Sequence, residues 1–124
     1  MIDFNNDAFV KMTAVNSKIF GHEVLPYLVE GEEILHTYQA LRDGVVFTNK
    51  RILAVNVQGI TGKKVDITSL PYSRIQAFST ETRGSLDLDS ELDLWISGPG
   101  KVHFEFAAGV EISEICKLIS GYVL

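Results

Sequence analysis

At 124 residues, with 46% hydrophobic and 22% charged side chains, the chain has material for one domain around one core and too little for two. Eleven basic against sixteen acidic residues give a formal charge of −5, which disfavours long-range attraction to nucleic acid or to an anionic membrane leaflet. No apolar run reaches the roughly 20 residues that span a bilayer, Met1-Ile2-Asp3 lacks the basic flank of a signal peptide, and the single Cys116 cannot close an internal disulfide. The expected location is the cytoplasm.

The first thirty residues differ from the rest. Ala8, Phe9, Met12, Val15, Ile19 and Phe20 recur at mixed three- and four-residue steps, a spacing that predicts helix, and Gly21, Pro26 and Gly31 cut it into short pieces. Residues 1–30 are therefore expected to form a short helical N-terminal arm, too apolar to be a solvated tail. It would pack on residues 31–124 or on a neighbouring subunit, which makes Phe9, Met12 and Phe20 candidate interface residues.

From Glu33 onward the period becomes two. Strands are predicted at residues 34–41, 45–48, 51–57, 64–70, 74–82, 86–96 and 102–106, joined by turns short enough to require antiparallel neighbours. In residues 86–96 the even positions carry Leu86, Leu88, Leu92, Leu94 and Ile96 against Asp87, Asp89, Glu91, Asp93 and Trp95, one face for the core and one for water. Gly98-Pro99-Gly100 turns the chain into Val102, Phe104 and Phe106. At the end Ile112, Ile115, Cys116 and Ile119 fall at helical spacing on one stripe, predicting an amphipathic helix docked on a sheet.

No stretch carries a catalytic or cofactor signature. The acids Asp87, Asp89, Glu91 and Asp93 alternate along an extended strand, so they do not wrap an ion as a calcium loop does. His22, His36 and His103 show no metal-ligand spacing, and His36 is expected to be satisfied or partly buried. Cys116 on an apolar helix stripe behaves as a small hydrophobe. The segment 59–64 has glycines and lysines but a strand follows it, so it is a hairpin loop and not a phosphate loop. Two aromatic residues stand where solvent offers no reason for them: Trp95, on the outward parity of its strand, and Tyr72, on a tight connection. Both are candidate interface residues.

The run Asp43-Gly44-Val45-Val46-Phe47-Thr48-Asn49-Lys50-Arg51-Ile52-Leu53-Ala54-Val55, followed by Leu70-Pro71-Tyr72-Ser73-Arg74-Ile75, resembles the bacterial pleckstrin-homology domains. Their hairpin reads Thr-Asn-Lys-Arg-Leu, and their next strand pair is joined by Ile-Pro-Tyr-Ser-x-Ile. The resemblance runs from about Glu30 to the C-terminus and implies an α+β, mainly β fold: seven antiparallel strands in two near-orthogonal sheets, a partly open barrel capped by the C-terminal helix. It also implies a non-catalytic module that forms a ring-like homo-oligomer, with a pentamer the favoured form, and binds a protein or peptide. The alternatives are an adaptor docking on lipid or a membrane protein, and, third, an enzyme of unrecognised chemistry. Phosphoinositide binding is not expected, because the loop that holds the head group in many pleckstrin-homology domains is here only Arg42-Asp43-Gly44. Within the hairpin, Thr48, Asn49 and Arg51 are candidate structural residues, with Arg51 holding the turn against an acid or a chain end and Lys50 solvated.

Overall fold

The computed structural model describes residues 1–5, 8–82 and 89–124. Among them are eight strands: β1 (Thr13–Ala14), β2 (Ile34–Ala40), β3 (Asp43–Thr48), β4 (Arg51–Gln58), β5 (Lys64–Pro71), β6 (Ile75–Thr82), β7 (Ser90–Ile96) and β8 (Gly100–Phe106). Two helices, α1 (Gly21–Val24) and α2 (Ile112–Val123), and two 3-10 turns, Leu25–Tyr27 and Tyr72–Arg74, complete it. The strands form two antiparallel sheets, β1-β2-β3-β4-β5 and β6-β7-β8, and α2 buries Ile115 and Ile119 on β6, β7 and the second 3-10 turn.

The extra strand lies in the arm, which carries the expected short helix at Gly21–Val24 but is not helical around Phe9 and Met12. After a turn and bend at residues 8–11, where Lys11 takes a positive φ of 52°, Met12 to Ala14 run extended along a seam between the sheets. On one side Glu105 N donates to Phe9 O at 2.9 Å, Met12 N to Glu105 O at 3.0 Å, and Ala107 N to Met12 O at 2.9 Å. On the other, β1 pairs with β2 through Thr13–Gln39 and Ala14–Tyr38. The partners are remote in sequence, so the three- and four-residue spacing of apolar groups reflected two separate burials and not one helical face. Among the described residues of the arm, 21–27 are helical, in two single turns.

Phe9 and Met12 are consequently core residues. They share one cluster with Phe47, Ile52, Leu92, Phe104, Phe106 and Ile115, and the Phe9 ring meets Phe104 edge-on at 5.5 Å. Phe20 is buried too, in a second cluster with Val24, Val46, Leu53 and Val55. The arm thus covers the outer face of the five-stranded sheet, and β3 and β4 are buried on both sides. Strands so placed read as continuous apolar runs, which is why residues 44–48 and 52–55 are buried without a break. Gly44 is obligatory here, since a Cβ would collide with Tyr38 O and lie 2.5 Å from the Phe20 ring. The expected interface roles of Phe9, Met12 and Phe20 are accordingly replaced by packing inside the chain.

In the smaller sheet the alternation is kept. Leu92, Leu94, Ile96, Val102, Phe104 and Phe106 point inward and are buried, while Glu91, Asp93, Trp95, His103 and Glu105 face out. Asp89 departs from the expected wet face. It is buried just ahead of β7, accepting from Ala108 N at 3.1 Å with Lys11 Nζ 3.6 Å away, because a turn after β8 needs its carboxylate. Asp87, Leu86 and Leu88 lie outside the described residues. His36 follows a bulge in the β2–β3 pairing and is exposed, not partly buried as expected, with its ring against Tyr38.

Candidate binding face and the hairpin clamp

Two sites hold the informative polar side chains, and the first is the β3–β4 hairpin. Arg51 reaches Glu32 in a two-pronged pairing, Nε to Oε2 at 2.9 Å and Nη2 to Oε1 at 2.9 Å. It also donates to Tyr27 O at 2.7 Å and Ser69 Oγ at 3.0 Å. Thr48 Oγ1 donates to Glu32 Oε2 at 2.7 Å and accepts from the backbone N–H of Lys50 and Arg51. Asn49 accepts from Glu33 N at 2.8 Å and donates to Gly31 O at 2.9 Å. Lys50 is solvent-exposed.

A guanidinium offers donors in a fixed fork that an ammonium cannot match, so four parts of the chain meet at one planar group. The Glu32 side chain is fully buried. Burial is the largest influence on its carboxyl and raises its pKa, but the bonds from Arg51, Thr48 and Val29 N and the Arg51 charge together outweigh it, leaving the group below its ordinary value of 4.5. Sequence reasoning missed Glu32. The signal was present in Glu30-Gly31-Glu32-Glu33, an acid-rich turn just before a strand, but its partner stands nineteen positions on.

Tyr72 lies beneath this clamp. Its hydroxyl donates to Thr48 O at 2.7 Å, its ring stacks on Tyr122 of α2 at 4.9 Å, and it is buried. Burial first, then the neighbouring Tyr122 and Glu32, push its phenol well above the usual range. The tight connection carries an aromatic residue because the helix is anchored there; an interface role for Tyr72 is corrected to an internal one.

The second site is the outer face of β6-β7-β8. Trp95 is 53% exposed and stands in register between Ala77 and Lys101. It walls a shallow groove of about 310 Å³ lined also by Ser79 and Asp93. One register step along, Asp93 pairs with His103 and then Glu91 with Glu105. His103 Nδ1 is 2.6 Å from Asp93 Oδ1, and its Nε2 is 3.9 Å from Glu91 Oε1. Of the aromatic candidates, Trp95 alone is left facing solvent. The polar cluster beside it was also missed, although pairing symmetrical about Gly98 would have aligned these four residues.

Two antiparallel sheets closed by a C-terminal helix define a pleckstrin-homology-like protein. The chain belongs to the bacterial PH domain family, whose profile matches residues 3–123. It is similar to the uncharacterised protein YjqA of Bacillus subtilis (strain 168), at 51% identity over 101 residues, covering 80% of this chain and 81% of that protein. Among solved structures, a DUF1696 family protein with a pleckstrin-homology domain from Shewanella loihica PV-4 superposes with a TM-score of 0.81 at 38% identity, covering 93% of this chain and 99% of that one. A pleckstrin-homology domain from Shewanella amazonensis SB2B gives 0.68 at 40% identity over 89% and 90%. Among the described residues no helix is long and apolar enough to cross a membrane.

Proposed function

We infer that this chain is a non-catalytic, cytoplasmic assembly module that joins copies of itself into a ring, a pentamer being the favoured form, and offers the Trp95 face to a protein or peptide. The observation that carries this reading is the edge of β6. Among the described residues β6 pairs only with β7, and over Ile75–Thr82 its one charged side chain is Glu81. A long, nearly uncharged strand edge is a template for pairing with another chain. By contrast the β5 edge, also paired on one side only, carries Lys64, Asp66 and Pro71. A ring needs a second, different surface on each copy to meet that edge.

Sedimentation velocity at micromolar concentration tests this directly. The expected species has several times the 13.8 kDa chain mass, and Gln76→Lys with Thr80→Lys, both exposed on β6, lowers it. A wild-type monomer overturns the reading.

One observation favours the second reading, an adaptor at a membrane. Leu41 and Ile60 are fully exposed on adjacent turns that Arg42 Nη1 ties together by donating to Gly59 O at 2.6 Å. Because Arg42 is engaged in this way and Asp43 lies beside it, phosphoinositide selectivity is not expected. Cosedimentation with anionic vesicles that is lost in Leu41→Ser/Ile60→Ser would favour this second reading.

A further inference from the structure

We propose that Glu91, His103 and Glu105 form a binding site for a divalent transition-metal ion of the zinc type on the outer face of the three-stranded sheet. The donor atoms of these three side chains all lie within 4.8 Å of one another. Ligands around zinc at roughly 2.0–2.2 Å sit somewhat over 3 Å apart in a tetrahedron, so small rotamer shifts close the set. The backbone already fixes the arrangement: His103 and Glu105 are two apart on β8 and share a face, and Glu91 stands opposite Glu105 on β7.

The imidazole distinguishes this group from an acidic patch. Asp93 Oδ1, an acceptor only, stands 2.6 Å from His103 Nδ1. That contact requires the proton on Nδ1 and leaves the lone pair of the neutral ring on Nε2, the nitrogen that faces Glu91. A carboxylate holding the far nitrogen of a ligating histidine is the usual second layer of a zinc site, where it sets the tautomer and raises the basicity of the ligand. Asp93 is therefore a positioning residue.

One nitrogen and two oxygen donors suit zinc among the common divalent ions, and the remaining coordination positions face solvent, since the His103 side chain keeps 36% exposure. A water, or an acidic or histidine side chain of a partner, can fill them.

The experiment is calorimetric titration of the full-length protein with Zn²⁺ alone, paired with ¹⁵N NMR of the histidine rings. Saturable binding of one Zn²⁺ per chain is expected, with the His103 Nε2 resonance shifting and those of His22 and His36 unchanged. Binding is lost in His103→Gln and strongly reduced in Glu105→Gln, while Asp93→Asn weakens it by about 10- to 100-fold. If His103→Gln fails to fold, Glu105→Gln and the wild-type ring shifts decide. No saturable heat, or binding that survives these substitutions or moves the other histidines instead, overturns the site.

Discussion

The two sheets of this domain solve opposite problems. The five-stranded sheet has an apolar surface on each side, one against the main core and one against Phe20 and Val24, and its central strands expose almost nothing. The three-stranded sheet buries one side only and leaves Trp95, Asp93, His103, Glu91 and Glu105 to solvent. Burial is thus divided unequally between them. Substitutions in the first should be read as folding energies, and substitutions on the open face of the second should cost little stability.

The largest expected effect tests the first half of that division. Phe20→Ala removes the side chain that seals the outer face of the larger sheet and should cost about 3 to 5 kcal/mol in denaturant unfolding. A loss below about 1 kcal/mol would mean that the second cluster is not a working core. Removal of residues 1–20 should accordingly unfold the domain, so truncation cannot serve as a clean probe of assembly.

Next is the clamp. Glu32→Gln leaves the Arg51 guanidinium, whose side chain is only 20% exposed, without its counter-charge, and should cost about 2 to 3 kcal/mol. Arg51→Lys keeps the charge but loses the fork, for about 1 to 3 kcal/mol, whereas Lys50→Ala should stay within about 0.5 kcal/mol. The clamp also predicts an acid limb. Because the folded state holds the Glu32 carboxyl below its ordinary value of 4.5, its contribution is complete above that pH and is lost as pH falls through the lowered value. Unfolding midpoints measured from pH 6 downward should show a fall in the wild type that is shallower in Glu32→Gln; identical slopes would assign the acid sensitivity elsewhere.

The smallest effect sharpens the second half of the comparison. Trp95→Ser should change stability by less than about 1 kcal/mol, because the ring is half exposed and exposed substitutions are usually small. It should nevertheless weaken association or partner capture. A large loss of stability would place Trp95 with the core of the domain instead.

The sequence was legible where structure is local. Period-two alternation in residues 92–96 and 102–106, the Thr48-Asn49 turn and the stripe of the last helix all correspond to observed elements, because each depends on neighbours a few positions away. Of the arm, only the short helical turns at residues 21–27 were legible. Phe9, Met12 and Phe20 meet partners on two different strands and two different faces, and their spacing happens to imitate a helix. Arg51 was found from its motif, but Glu32 was not, since a buried acid looks like any other surface acid until its guanidinium partner is placed beside it. The His103 cluster shows the same limit: each residue occupies an ordinary outward position, and only the register of β7 on β8 brings the donors together.

The strap formed by residues 9–15 has a consequence for how the protein is made. It is synthesised about ninety residues ahead of its partners, since Met12 and Phe9 hydrogen-bond to Glu105 and Ala107. At about 5 to 20 residues per second, the chain must wait roughly 5 to 20 s before that partner strand exists. Phe9 and Met12 therefore remain uncovered until that strand is made, and the seam can close only once nearly the whole domain has emerged.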